Sequence, residues 1–281
     1  MLKIDAHQHF WVFDPVRDSW IGDDMAILQD DFMPAHLQPI LEHYGFMGSV
    51  AVQSDQSADE THFLLQQTEQ NPFIKGVVGW IDLQAADITE QLEAYRRYDK
   101  LKGFRHILQG EKQRDLMLEP AFKNGIGQLK QFGYTYDVLI FPDQLGYAAE
   151  LAATFPDQPF VLDHIAKPGI KDNADDAFKS WSAAIAHLAK QENVWCKVSG
   201  MVTEADLRNW KKADFKRYLD VVFEHFGVNR LMFGSDWPVC RLAATYGEVL
   251  SIMEAYLSSF SEQEQALFWS GNAAKFYNLS I

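Results

Sequence analysis

Eight short apolar runs, separated by longer stretches of helical periodicity, constrain this chain more than any other feature. That alternation is the pattern of βα units wound around a parallel sheet. The runs are Leu2–His7, Gly48–Gln53, Lys75–Trp80, Lys102–Arg105, Thr135–Ile140, Phe160–His164, Val194–Val198 and Arg230–Gly234. Helical periodicity covers Ala35–Tyr44, Ala58–Asn71, Ala86–Tyr98, Glu119–Gln131, Asp143–Thr154, Ala177–Gln191 and Asp214–Phe226, with a last pair around Tyr246–Ser258 and Glu262–Phe268. Pro34, Pro72, Pro142 and Pro156 punctuate helix ends, and Gly45, Gly133 and Gly227 fall where a left-handed cap would stop a helix. Ser261 and Glu264 have the spacing of a capping box.

Eight strands each followed by a helix predict an α/β fold of the closed (β/α)8 TIM-barrel type, in which the sheet has no free edge and the helices bury its outer face. No linker rich in Gly, Ser or Pro interrupts the series, so one domain is expected over residues 1–281. A doubly wound open sheet is the competing architecture. Against it, the first run leads into Asp5-Ala6-His7-Gln8-His9, polar and imidazole-bearing where a dinucleotide fold needs a glycine-rich turn.

Charge and composition narrow the partners. With 39 acidic against 25 basic side chains, the net charge of −14 repels a phosphate backbone, and no basic stripe overrides it. Lys211, Lys212, Lys216 and Arg217 are interleaved with Asp214, as on a solvated helix face. No uninterrupted apolar run reaches the roughly 18 residues of a membrane span. Neither nucleic acid nor membrane is therefore expected as a partner. Cys196 and Cys240 read as buried thiols rather than a disulfide, and the start MLKIDAHQHF lacks the succession of a secretory peptide, so cytoplasmic residence is expected.

In a barrel of this kind catalytic side chains sit at the C-terminal ends of the strands. Those positions hold His7 and His9, Gln53, Trp80 with Asp82, Arg105 with His106, Asp137, His164, Lys197 with Ser199, and Asp236. His7 and His9, two apart on an extended segment, share a face. Joined by His164 and Asp236, they make three nitrogens and one oxygen, a set that suits one zinc ion. The structural alternative packs one ring in the core and ties the other to the backbone. Asp236, held between Ser235 and Trp237, suits a general base that takes a proton from water; its alternative is a turn cap before Pro238.

Arg105 and Lys197 could bind a carboxylate or polarise a carbonyl, or else pair with acidic neighbours in the barrel mouth. The long first connection places Phe10, Trp11, Phe13 and Trp20 among Asp14, Arg17, Asp18, Asp23 and Asp24. Rings beside hydrogen-bonding groups suit the apolar faces and hydroxyl edges of a sugar-like ligand, although packing would use the same residues. His106, Lys197, Trp11, Trp20, Arg17 and Trp80 are accordingly the candidates for substrate contact, and Asp236, His164 and Arg105 for catalysis.

Taken in order, IDAHQHFW, KGFRHILQ, VLDHIAKP, WCKVSG, LMFGSDWPV and the closing WSGNAAKFYNL resemble the amidohydrolase superfamily, in particular its sugar-lactonase branch of L-fuconolactonase and L-rhamnono-lactonase type, related to pyrone-dicarboxylate lactonases. The resemblance spans nearly the whole chain. It implies a barrel hydrolase that opens an aldonolactone, with His7, His9, His164 and Asp236 around the reacting water, Asp236 as general base, and Arg105 and His106 near the substrate. The bridging carboxylated lysine of binuclear members is not matched, Arg105 being the nearby side chain. The resemblance thus implies at most one divalent ion, zinc by ligand type, or a metal-free site, and no organic cofactor. Two rival functions share these residues: a metal-dependent decarboxylase of an aromatic or unsaturated acid, and a noncatalytic ligand-binding barrel.

Overall fold

The structure, a computed structural model, describes residues 1–280. Eight parallel strands follow one another around a single sheet in sequence order: β1 (Lys3–Gln8), β2 (Phe46–Val52), β3 (Ile74–Gly79), β4 (Leu101–His106), β5 (Thr135–Val138), β6 (Phe160–Leu162), β7 (Val194–Val198) and β8 (Leu231–Phe233). The helices are α1 (Pro34–His43), α2 (Ala58–Gln70), α3 (Ile88–Tyr95), α4 (Pro120–Leu129), α5 (Leu145–Thr154), α6 (Asp175–Leu188), α7 (Lys212–Phe226), α8 (Tyr246–Tyr256), α9 (Glu262–Ala266) and α10 (Asn272–Phe276). This is the (β/α)8 barrel that the apolar periodicity predicts. Gly45, Gly133 and Gly227 have φ of +72°, +77° and +67°, as their capping positions require. Both cysteines are buried and free.

The seam between β8 and β1 closes just beyond the strands, where the His9 amide donates to the Trp237 carbonyl at 2.7 Å and the Asp236 amide to His7 at 2.9 Å. A side chain reinforces it. Asp5 accepts from the Ser235 amide (2.9 Å), the Ser235 hydroxyl (2.5 Å) and the Tyr246 hydroxyl (3.1 Å), tying β1 to the turn after β8 and to α8. Burial pushes the Asp5 carboxyl up to about 6 against the pull of these donors.

Strand alternation divides the apolar residues into two groups. Ala51, Val77, Phe104 and Leu162 pack outward beneath the helices. Ile4, Val50, Val52, Val78, Val161 and Met232 fill the lower barrel interior together with Phe276, Tyr277 and Leu279 from the C-terminal segment, which stoppers that end. The expected last helix, Glu262–Phe268, is instead α9 and α10 joined by a π turn at Leu267–Gly271. Asn272 fixes the join, donating to the carbonyls of Val228 (2.7 Å) and Leu231 (2.6 Å) under β8.

Candidate active site

His7 reaches the barrel interior through a break in alternation. On β1, Asp5 and Gln8 pair with Ser49 and Ala51 of β2, three steps against two, so one extra residue is inserted there. Such a bulge re-aims the side chains that follow it. Ile4 and Ala6 face the apolar interior below the bulge, whereas above it His7 and His9 point into the barrel mouth. Gly234 makes room: a β-carbon there would lie 2.6 Å from the β-carbon of His7.

Above the bulge three acceptor atoms converge. The Nε2 atoms of His7 and His9 are 3.2 Å apart, and Oδ1 of Asp236 lies 3.3 Å from the second and 3.8 Å from the first. His9 Nδ1 is 2.7 Å from the Val52 carbonyl, to which it must donate, so a neutral His9 turns a bare Nε2 lone pair toward the carboxylate. Two acceptors at that distance repel unless a proton or a cation lies between them. Ligands about 2.1 Å from a tetrahedral zinc lie about 3.4 Å from one another, close to the separations seen. His7, His9 and Asp236 therefore fit one zinc-sized ion. His164 stands slightly apart, its Nε2 3.9 Å from the same oxygen.

Burial and neighbours set the charges. Burial lowers His7 well below the ordinary imidazole range, with the Lys197 ammonium adding to it and Asp163 opposing; His164 is lowered to about 4 for the same first cause. Burial alone would raise Asp236, but His164, the contact with His9, and His7 outweigh it and hold the carboxyl well below the usual range. At neutral pH the site thus holds an ionised Asp236 carboxylate with neutral His7 and His164 imidazoles beside it, protonation states that suit metal ligation. Metal analysis after mild purification should return no more than about one divalent ion per chain, because the other converging group, His7, Asp163 and His164, shares His7 with the first and its Asp163 is already paired with Arg105 and Lys197. Two ions per chain would contradict this arrangement.

Those cations form the floor of the site. Arg105 donates from Nη1 to Asp163 at 3.0 Å, approaches His7 Nε2 at 3.3 Å from the same atom, and donates from Nη2 to the backbone and side-chain oxygens of Gln53. Its remaining donor, Nε, is buried without a partner. Lys197 is fully buried and reaches Asp137 (2.5 Å), Asp163 (3.1 Å) and His7 Nδ1 (3.1 Å). Tyr277 donates to Asp137 at 2.8 Å from below. Burial would raise Asp163, but Lys197, His7 and Arg105 together hold it well below the usual carboxylate range.

A cavity of about 300 Å³ opens above this floor, and His9, Arg105, His164 and Asp236 form its base. Trp11 and Trp20 stand in its wall, edge to face at 6.1 Å, with Ser54, Gln109 and Lys167 nearby. Four other expected contact residues lie off the wall. Lys197 lies in the ion network beneath His7. His106 pairs with Glu111 at 2.8 Å and packs on Phe122. Arg17 is held by Asp18 (2.7 Å) and the Val12 carbonyl. The Trp80 backbone is clasped by Thr61, and its indole Nε1 is buried without a partner.

Two residues of the site escaped the sequence reading. Asp163, next to His164, is the anion that organises Arg105, Lys197 and His7; its place two residues after the inward-facing Val161 was the available signal. Gly200, at φ +62°, leaves space for His164, since a β-carbon there would lie 2.5 Å from Nδ1. The same imidazole nitrogen is 2.9 Å from the Ser199 hydroxyl.

Comparisons with known proteins agree with this geometry. A family profile described as amidohydrolase matches residues 4–279. The chain is 41% identical over 286 residues to an L-fucono-1,5-lactonase of Burkholderia multivorans, covering 99% of this chain and 96% of that protein. It is 33% identical over 284 residues to an L-fucono-1,5-lactonase of Burkholderia ambifaria, with the same shares covered. A crystal structure of an amidohydrolase from Burkholderia multivorans with bound zinc superposes with a TM-score of 0.95 at 40% identity, over 100% of both chains.

Proposed function

This chain belongs to the amidohydrolase family, and on that premise we propose that it hydrolyses a sugar lactone to the open sugar acid, with L-fucono-1,5-lactone as the first substrate to try. The observation that carries the proposal is the convergence of Asp236 with His7 and His9 at the base of a cavity walled by Trp11 and Trp20. The names of the two Burkholderia relatives support the substrate class. They also favour the six-membered 1,5 ring as the one to test first.

The reaction needs one proton acceptor and a field that tolerates a negative oxygen. Asp236 takes a proton from water, the water oxygen bonds to the lactone carbonyl carbon, and the π pair moves onto the carbonyl oxygen. Collapse of that intermediate breaks the bond to the ring oxygen, which receives the proton back from Asp236. The new carboxyl group then loses its own proton to solvent. Arg105 acts as a fixed positive charge at the base, held in place by Asp163 and Gln53. His164, oriented through Ser199, flanks the carboxylate. A divalent ion held by His7, His9 and Asp236 would supply Lewis acidity. Trp11 and Trp20 offer ring faces and edges to the apolar side of the sugar.

Proton release across a panel of aldonolactones and unsaturated or aromatic acids tests this reading. At least one lactone should acidify the medium faster than buffer alone, and the acids should yield no carbon dioxide. Decarboxylation with every lactone untouched would replace the proposal with the rival activity.

A further inference from the structure

We infer that Lys167 is the residue that receives the substrate's negative charge, first as it develops on the lactone carbonyl oxygen and then as the product carboxylate. The inference rests on the lactonase reading and adds to it a residue for anion recognition. It starts from the backbone. His164, Ile165, Ala166 and Lys167 have φ of +53°, +49°, +60° and +49°, a full left-handed turn, closed by the Lys167 amide donating to the His164 carbonyl at 2.8 Å. Each such residue is sterically costly for an L-amino acid, and a β-branched residue such as Ile165 is a particular outlier there. Strain of this kind persists where the surroundings over-determine it, commonly at functional sites. Here Ile165 and Ala166 are completely buried and Trp181 donates to the Ile165 carbonyl at 2.9 Å.

The turn brings both of its ends, His164 and Lys167, to the cavity wall. Lys167 differs from Arg105, the other cation lining the cavity, in what its charged group does. Arg105 has three of its five donors committed to Asp163 and Gln53, a fourth turned toward His7 and the fifth buried. Among the described residues the Lys167 ammonium makes no hydrogen bond; its ion-pair partner is Glu204 at 3.8 Å, beyond hydrogen-bond reach, and the two side chains are 18% and 22% exposed. An ammonium with free donors, lining the same cavity as the Asp236 carboxylate, suits an anion that forms during the reaction. A neutral lactone gains less from it, so the contribution falls on the rate and on product binding.

Lys167 and Glu204 give opposite signs on one readout, binding of sodium L-fuconate measured by calorimetry. Lys167→Met should weaken it by about tenfold or more, the scale of one charge-assisted contact, whereas Lys167→Arg should restore much of it. Glu204→Gln, which removes the competing carboxylate, should tighten it; a purely structural role for the pair predicts no tightening. In turnover, Lys167→Met should lower kcat by roughly 10–100-fold with little change in KM for the lactone. Wild-type binding of the acid by Lys167→Met, or no binding by the unsubstituted protein, overturns the inference. Should no lactone be hydrolysed, the lactonase reading fails by itself, while the binding comparison still decides the role of Lys167.

Discussion

Asp236→Asn is expected to lower kcat on a responsive lactone by about 10²–10⁴, the range typical of a lost general base. The substitution keeps the side-chain volume, and an amide oxygen can still sit beside His9, so the barrel mouth should retain its shape. What disappears is the capacity to hold a proton between the attack of water and the departure of the ring oxygen. It also removes the anionic member of the three-atom group that fits a cation, so bound metal should fall with the rate. A melting curve like that of the unsubstituted protein identifies the loss as chemical. Activity near the original level in Asp236→Asn would remove the base assignment.

Lys197→Met is expected to cost about 3–5 kcal/mol of stability, because it leaves the buried Asp137 carboxylate without a cation. Asp137 and Asp163 are both fully buried and both within 3.1 Å of the Lys197 ammonium. With the lysine gone, Asp163 keeps Arg105 at 3.0 Å, whereas Asp137 keeps only the Tyr277 hydroxyl. A proton must then enter the barrel, or the stopper carrying Tyr277 must loosen. Because a domain of this class has about 5–15 kcal/mol to lose, urea unfolding should shift markedly. Adding Asp137→Asn to Lys197→Met should recover part of the loss. A shift worth less than about 1 kcal/mol would mean that the network contributes little, returning Lys197 to the role of a ligand contact.

How far the sequence revealed these features depended on the kind of physics involved. The barrel was legible because burial on both faces of a parallel strand leaves a continuous apolar run, and the intervening helices carry the 3.6 period. Val194–Val198 matches its run to the residue, whereas β6 ends at Leu162, two residues before the expected His164. The apolar character continues through Ile165 and Ala166, but those residues have left the ladder for the left-handed turn. Periodicity reports burial and is blind to that change of hand.

Within the site, residues at strand ends were legible and their partners were not. The pairing of His7 with His9 follows from two-residue spacing, but the face they take is decided by the bulge near Ala6, which no residue type announces. Arg105 and Lys197 were correctly placed at the ends of β4 and β7, yet their environments differ. Asp137 lies on β5 and Asp163 just beyond β6, so only the assembled sheet brings them to Lys197 on β7. Of the candidate contact residues in the first connection, Trp11 and Trp20 reach the cavity wall, while Arg17 turns back onto its own loop.

The most direct measurement is hydrolysis of L-fucono-1,5-lactone by the intact protein in ¹⁸O-labelled water, followed by mass spectrometry of the acid. Water attack at the carbonyl predicts one ¹⁸O atom in the product carboxylate, formed faster than in buffer alone. No rate above buffer, or label appearing on the hydroxyl carbon, would contradict the lactonase proposed for this site.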